Sequence, residues 1–194
     1  MKFMMLFLLV ISLSGFQFQS NENVYHLDSG HTYIGFDVER FLVGEVTGRF
    51  NDFSGSVNMT NGDLTSIKIN ATIQTKSLDT NNETRDNHLK GEMWLNVSEY
   101  PQIKLVSTEI KKTADGFLMS GNLTIKEVTN QINFPLIVKG PFKDPTKKVA
   151  LGLSADLVIN RFDYDIKFNQ KMDNGSFFIG DEVKIKLRAL AYAD

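Results

Sequence analysis

The chain has 194 residues and no cysteine. Disulfide bonds and thiolate metal sites are therefore excluded, and so is lipid attachment to an N-terminal cysteine. A protein exported without disulfide bonds must be stable through its hydrophobic core alone. The absence of cysteine therefore fits a bacterial periplasm better than an animal secretome.

Strong charge and long apolar segments are also missing. The formal net charge is −2, and the basic pairs Lys111-Lys112 and Lys147-Lys148 are short and flanked by turn residues. The sequence therefore predicts no nucleic-acid partner. Beyond residue 20, no apolar run approaches the roughly 20 residues of a transmembrane helix, so we do not expect a protein integral to a membrane.

The short motifs of catalysis are absent as well. The sequence contains no Gly-x-Ser-x-Gly, no phosphate-binding Walker loop and no His-Glu-x-x-His. Its only histidines are His26, His31 and His88, and their spacing is not that of a compact metal site. We therefore predict no catalytic residue, no metal ligand and no cofactor, and we do not expect an enzyme. A metal-assisted hydrolase that uses His88 is an alternative from another functional class.

The first twenty residues have the organisation of a secretory signal peptide. Lys2 precedes an apolar run from Phe3 to Leu13, and small and polar residues follow up to Ser20. This order is typical of an export signal, and the apolar run is too short to span a bilayer. We expect cleavage between residues 14 and 20 and a periplasmic or secreted protein. Residues 21–194 are then predicted to form a single domain.

Apolar and polar residues alternate with a period of two through most of the remaining chain. The clearest stretches are residues 34–38, 67–73, 149–159 and 183–191, with turn signals such as Asn61-Gly62 between them. Such alternation is typical of strands with one buried face, and it predicts an all-β fold of about eight to nine strands. Periodicity alone leaves two architectures open, a two-sheet sandwich and a closed barrel.

One segment between Asn81 and Val97 departs from this alternation. Leu89, Met93 and Trp94 recur there at helical spacing. We therefore predict one short helix near residues 81–92. We expect it to lie across a barrel mouth or between two strands.

An ordered set of motifs adds a family resemblance. The set comprises Arg85–Leu89, Gly121–Thr129, Ile159–Tyr164 and Ile179–Val183. In this order and spacing, the chain resembles the YceI-like family of polyisoprenoid-binding proteins from Val24 to about Ala191. The resemblance implies an extended antiparallel, lipocalin-like β-barrel of about eight strands. It also implies a soluble protein whose lumen holds an isoprenoid lipid, such as a quinone or a polyprenyl phosphate.

Three positions depart from that family pattern. Arg40 stands where a histidine is common after the first strand. Trp94-Leu95 replaces a usual Phe-Phe pair, and Asp165 replaces a usual glycine. The change at Arg40 affects any polar contact shared at that position, whereas the other two reshape a pocket wall.

The apolar faces of the strands supply the predicted lumen. Taken alone they would form an ordinary packed core, and only the resemblance assigns them to a ligand. A buried methylene gains about 0.8 kcal/mol, so a long apolar chain would bind with few polar contacts. The predicted ligand-binding residues are Phe36, Val38, Ile69, Ile73, Trp94, Leu105, Phe117, Leu123, Phe134, Leu153, Leu157 and Leu187.

Arg85, Asp86 and His88 are the predicted polar residues of the site. In one interpretation they hold the ligand head group at the barrel mouth, because arginine suits phosphate oxygens. In the other interpretation, Arg85 and Asp86 tie the helix to a neighbouring strand.

The predicted function is the binding of a long-chain isoprenoid or related apolar lipid, as a carrier, a reservoir or a stress-protective sequestering protein. The alternative is a structural or interaction barrel with a filled core and no ligand. Open strand edges are expected near the termini, so a homodimer is an alternative to a monomer.

Overall fold

The computed structural model describes residues 21–194, which form eleven β-strands and one α-helix. The predicted signal peptide lies outside the described residues. The helix is α1 (Glu83–Lys90). The strands are β1 (Glu22–Leu27), β2 (Tyr33–Arg40), β3 (Gly44–Phe50), β4 (Phe53–Thr60), β5 (Lys68–Gln74), β6 (Leu78–Asp79), β7 (Gln102–Thr113), β8 (Gly116–Ile125), β9 (Val128–Lys143), β10 (Val149–Asn160) and β11 (Ile179–Ala193).

The strands form one antiparallel sheet that closes into a barrel. Neighbouring strands follow the order β1-β4-β5-β7-β8-β9-β10-β11, and β11 returns to pair with β1. The other three strands extend this wall, because β2 continues β1, β3 leads into β4, and β6 continues β5. The barrel therefore has eight strand positions, three of them interrupted. The prediction of a lipocalin-like barrel of about eight strands is confirmed, and the sandwich is excluded.

The first and last strands close the barrel against each other. Tyr25 of β1 lies opposite Ala193 of β11, and Leu27 lies opposite Ala191. The other edge of β1 pairs with β4. The expectation of open strand edges near the termini is wrong, because both terminal strands are paired on each side. The homodimer suggested by those edges loses that support.

The longest connection outside the barrel wall, residues 80–101, lies between β6 and β7, and a second long one, residues 161–178, joins β10 to β11. A 3₁₀ turn at Thr75–Ser77 leads into β6, and α1 follows before the chain returns as β7. Gln102 then re-enters the wall opposite Gln74 of β5, while the Thr75 hydroxyl donates to the Tyr100 carbonyl at 2.8 Å. This excursion places α1 at the barrel end where β2 and β10 finish. We call that end the mouth.

Apolar side chains form two clusters inside the barrel. Val57, Leu151 and Ala191 are fully buried in the first cluster, which lies away from the mouth. The second lies towards the mouth and includes Ile73 and Ile159. Because side chains alternate between faces along a strand, the two clusters continue the same inward rows. The first, which we call the filled cluster, consists of Tyr25, Val57, Met59, Ile67, Ile110, Met119, Phe134, Leu136, Leu151, Leu153, Ala155 and Ala191.

On the outer face, Asp37 joins β2 to β3 and β11. Its carboxylate accepts a hydrogen bond from the Thr47 hydroxyl at 2.8 Å, and Lys186 Nζ lies 2.5 Å from its other oxygen. The side chain is only 3% exposed. Burial raises the pKa of the Asp37 carboxyl, but the contacts with Lys186 and Thr47 together outweigh burial, so its pKa lies below the usual value. The ionised carboxylate therefore stabilises the folded barrel.

Replacing Asp37 by alanine is expected to lower the free energy of unfolding at neutral pH by about 1–3 kcal/mol, because hydrogen bonds to a buried carboxylate are lost. The folded-state pKa is depressed, so this stabilisation is present above the unfolded value of about 3.9. It is lost as the pH falls through the lower folded-state pKa. Urea unfolding of both proteins across the acid range measures the difference.

The matched control is Asp156→Ala, which breaks an exposed ion pair with Arg188 between β10 and β11. Exposed ion pairs contribute little, so we expect a smaller loss for this variant. Equal losses for the two variants, or a loss at Asp37 that does not vary with pH, would contradict the prediction.

Candidate functional site

A cavity of about 880 Å³ occupies the half of the barrel next to the mouth. Its size lies in the upper part of the roughly 300–1,000 Å³ range of small-molecule pockets. Strand residues form the wall, and α1 with residues 91–95 and 161–168 lies around the opening. The wall is almost entirely aliphatic and aromatic, whereas most of the polar lining residues lie on α1 or beside it. The arrangement suits a ligand with a long apolar part and a small polar end.

Nine of the twelve predicted ligand-binding residues line this cavity. They are Phe36, Val38, Ile73, Trp94, Leu105, Leu123, Phe134, Leu157 and Leu187. The other three do not reach it: Leu153 belongs to the filled cluster, and Ile69 and Phe117 pack against that cluster. Alternation identifies the inward face of a strand but not the height along the barrel, so it does not separate Leu153 from Leu157.

Phe134 forms part of the cavity floor. It is 2% exposed, belongs to the filled cluster and also lines the cavity. Leu105, Ile132 and Leu157 pack against both apolar clusters. The change from a filled to a hollow interior therefore occurs at the level of Phe134.

Two of the predicted polar residues fasten α1 to the barrel. Arg85 Nε donates to the Thr80 hydroxyl at 2.8 Å, and its Nη2 donates to the Thr80 carbonyl at 2.8 Å. The Asp86 carboxylate accepts from the Thr80 amide at 2.9 Å and from the Thr80 hydroxyl at 2.5 Å. Because Thr80 directly follows β6, these bonds tie the helix to the neighbouring strand, as one of the two sequence interpretations expected. Asp86 does not line the cavity, whereas Arg85 and His88 do.

Helix α1 lies within the predicted range 81–92, so the prediction of one short helix is confirmed, but it ends at Lys90 and does not include Met93 or Trp94. The Asn82 side chain caps its start by accepting from the Arg85 amide at 2.9 Å. Gly91 ends the helix in an extended conformation. Met93 and Trp94 therefore lie in the following loop, where Met93 is 66% exposed.

Two departures from the family pattern have a local explanation. Asp165 follows the turn Arg161–Tyr164 with a φ of 59°. This is the left-handed region that favours glycine, and aspartate tolerates it better than most residues. Trp94 stacks on Phe168 at the cavity edge, with ring centroids 4.8 Å apart.

Arg161 is a buried cation at the mouth that sequence reasoning did not single out. It is 2% exposed, and its Nε donates to the Gly180 carbonyl at 2.9 Å. Its Nη atoms donate to the carbonyls of Ile166 at 2.8 Å and Ile179 at 3.2 Å. Burial lowers the pKa of the Arg161 guanidinium, and the charge of Asp181 opposes that shift. These bonds fasten the segment after β10 to the start of β11.

The alternation itself contains the signal that would have identified this residue. Residue 161 continues the inward row of Leu157 and Ile159, just as Arg40 continues the inward row of Phe36 and Val38. Both arginines line the cavity. A polar residue that extends an inward apolar row at a strand end is therefore a candidate for the mouth.

The loop between β2 and β3 forms an apolar tip at the mouth. Phe41 and Leu42 have φ values of 54° and 66°, and Val43 is 94% exposed. Positive φ values are unfavourable for such side chains, so neighbouring contacts must hold the loop. The Phe41 and Phe178 rings meet edge to face, with centroids 4.4 Å apart. This contact holds the tip against the segment before β11.

Within residues 21–194, no three histidine or acidic side chains come close enough together to bind a metal ion. His31 Nδ1 lies 2.6 Å from Asp28, and His26 Nε2 lies 3.2 Å from Asp194. No helix in the same part of the chain is long and apolar enough to cross a bilayer.

Comparison with known proteins gives a consistent set of matches. A model of the YceI-like domain matches residues 25–191. A UPF0312 protein of Yersinia pestis (strain Pestoides F) is 35% identical over 164 residues, which cover 82% of this chain and 85% of that protein. The relationship therefore extends over most of both chains.

Solved structures share the fold as well. BcnA of Burkholderia cenocepacia superposes with a TM-score of 0.73 at 22% identity, covering 84% of this chain and 98% of that one. A polyisoprenoid binding domain from Saccharophagus degradans, implicated in plant cell wall breakdown, superposes with a TM-score of 0.67 at 15% identity. It covers 88% of this chain and 98% of its own.

Leu153→Trp and Leu157→Trp are matched substitutions on one inward face of β10. Leu153 lies in the filled cluster, so the larger ring is expected to overpack it and lower the free energy of unfolding by about 1–3 kcal/mol. Leu157 faces the cavity, where the ring has room, so we expect a clearly smaller loss. Urea unfolding measures both variants. Equal destabilisation would show that the interior near the mouth is as tightly packed as the filled cluster.

Proposed function

The chain belongs to the YceI-like domain family, and from this premise we propose that it binds a long apolar lipid of the isoprenoid class in the hollow half of its barrel. The observation that supports the proposal most strongly is the apolar cavity of about 880 Å³. The protein would act as a carrier, a reservoir or a stress-protective sequestering protein for that lipid, without a chemical reaction.

The walls of the cavity explain how such a lipid would be held. Each buried methylene gains about 0.8 kcal/mol, so a chain of many carbons binds through burial alone. Aromatic rings from Phe36, Phe50 and Phe134 and aliphatic side chains from most strands supply the contact surface. Almost no polar group in the wall would have to give up water to an apolar chain.

The isoprenoid class is chosen on the strength of one structural neighbour. The domain from Saccharophagus degradans is described as polyisoprenoid binding, and it shares the barrel fold. A quinone tail and a polyprenyl phosphate both belong to this class.

The polar residues at the mouth divide into two roles in this proposal. Arg85 and His88 line the cavity and would face the head group. Asp86 is turned to Thr80 and would hold α1 as a lid over the ligand. The alternative of a structural barrel with a wholly filled core does not match the interior, because side chains fill only one half.

The first test is to identify the lipid. The purified protein is extracted with organic solvent, and the extract is analysed by mass spectrometry. The stripped protein is then titrated with a quinone and with geranylgeranyl monophosphate, and the fluorescence of Trp94 reports binding. It is the only tryptophan of the chain and lines the cavity.

We expect an isoprenoid lipid in the extract or saturable binding after stripping. Leu157→Trp is expected to weaken binding because the added ring occupies the cavity, while the matched Leu153→Trp leaves the cavity wall unchanged. Binding by these variants is followed by equilibrium dialysis with radiolabelled ligand, since each carries a second tryptophan. An empty extract together with no saturable binding of either class would refute the proposal.

We also propose that the protein is exported to the periplasm or secreted, on the basis of the leader-like residues 1–20. Expression of the full chain in a bacterial host followed by fractionation tests this. We expect the protein outside the cytoplasm with a new N-terminus between residues 15 and 21. An uncleaved chain that stays in the cytoplasm, while a control with a proven export signal is processed, would contradict export.

A further inference from the structure

We propose that the cavity selects a lipid with an anionic head group, a phosphate or a carboxylate, and that Arg40 receives it. The inference rests on the proposed function, because it names the head group of the ligand held in the same cavity. It differs from one of the two sequence interpretations, in which Arg85, Asp86 and His88 hold the head group.

Arginine is concentrated at the cavity. The chain has five arginines, and Arg40, Arg85 and Arg161 line the cavity. No lysine in residues 21–194 does so. Arginine is the residue suited to paired hydrogen bonds with phosphate or carboxylate oxygens, whereas lysine acts as a point charge.

None of these three cations forms a close ion pair with a described residue, although Asp181 acts on Arg161 from a greater distance. None of them has a carboxylate within 4.0 Å in the described part of the chain, where the ion pairs involve other residues such as Lys186 and Arg188. Glu92 is the only acidic residue in the cavity lining. The cavity lining therefore carries more positive than negative charge beside an apolar wall, and charges interact more strongly near such a wall than in bulk water.

The three arginines differ in how much of their hydrogen-bonding capacity is already used. Arg85 is engaged by Thr80. Arg161 donates through all three of its nitrogen atoms to backbone carbonyls. Arg40 makes no side-chain hydrogen bond with any described residue, and its Nε is buried without a partner. A buried N–H group without a partner is unfavourable. Arg40 is therefore the cation of the three that still lacks a hydrogen-bond acceptor.

Arg40 is also held in position to receive a ligand. It continues the inward row of Phe36 and Val38 to the end of β2, which directs it to the cavity mouth. Its guanidinium carbon lies 4.9 Å from the centroid of the Phe41 ring and 5.2 Å from that of Phe178. These rings favour the cation without supplying a hydrogen-bond acceptor. The guanidinium is therefore oriented while its Nη donors have no partner among the described residues.

A neutral head group satisfies this site less well. A quinone carbonyl or an alcohol accepts hydrogen bonds through a single oxygen atom, and it leaves the charges of the arginines uncompensated. An oxyanion accepts two parallel hydrogen bonds from one guanidinium and neutralises charge as well. The apolar chain would then extend from Arg40 along Phe36 towards the floor at Phe134.

The test compares head groups on one chain. Stripped protein is titrated with geranylgeranyl monophosphate and with geranylgeraniol, and in parallel with palmitate and hexadecanol, using Trp94 fluorescence. We expect each anion to bind about tenfold or more tightly than its alcohol. A preference for phosphate alone or carboxylate alone also supports the proposal and identifies the source of the anion.

The variants separate Arg40 from a general effect of positive charge. Arg40→Met keeps an unbranched side chain between the two rings, and we expect it to reduce the preference for anions to about threefold or less. Arg40→Lys keeps the charge and should retain part of the preference. The control Arg49→Met removes one positive charge from an exposed position on β3, and its preference should equal that of the parent protein.

Salt and stability measurements complete the design. The preference should persist at about 0.5 M salt, where surface attraction is largely screened. Thermal unfolding verifies that each variant is folded. Equal affinity for anions and alcohols in the parent protein, or an unchanged preference in a folded Arg40→Met, would overturn the proposal and leave the proposed function standing. Failure of all four ligands to bind would count against the proposed function itself.

Discussion

Closure of the sheet is the constraint on which the rest of the molecule depends. Once β11 pairs with β1, every inward side chain faces a space enclosed by eight strand positions. An eight-stranded barrel has an interior just wide enough to be filled by side chains or to hold one small ligand. The number of strands therefore allows both outcomes, and this chain has both, one in each half.

The packing in the filled half offsets the loss of stability that the hollow half causes. A cavity forgoes the dispersion contacts that packed side chains would make, so the structure around it is less stable than a filled core. No disulfide bond can compensate, because the chain has no cysteine. The filled cluster, with large buried side chains such as Tyr25, Met59 and Met119, supplies the packing instead. Outer-face contacts such as those of Asp37 fix the strands around the cavity.

Much of the architecture could be predicted from the sequence, for identifiable physical reasons. Alternation shows which face of a strand points inward, because the side-chain period of a strand is two. It does not show where along the barrel a side chain lies, so Leu153 and Leu157 look alike in sequence. It also does not show which strands close the barrel, because pairing between β1 and β11 joins residues at opposite ends of the chain.

The site was harder to predict than the fold, because it depends on what each polar group already contacts. Arg85 and Asp86 stood out in sequence, yet both are engaged with Thr80. Arg161 and Arg40 belong to the mouth because each continues an inward apolar row of a strand. Sequence alternation reveals this only if a charged residue is accepted as the last member of such a row. The extent of α1 depended on Gly91, whose conformation stops the helix before Met93.

The pairing of Tyr25 with Ala193 has a mechanical consequence. The outer ends of β1 and β11 lie side by side, so a force that pulls them apart acts across the seam rather than along it. Backbone hydrogen bonds at such a seam break one after another, as in a zipper, and do not share the load. The seam of only three residue pairs beyond β2 would therefore open first under tension, at the end of the barrel opposite the mouth. The same proximity means that a short peptide linker could join these two ends without distorting the barrel, with new ends created in a surface loop.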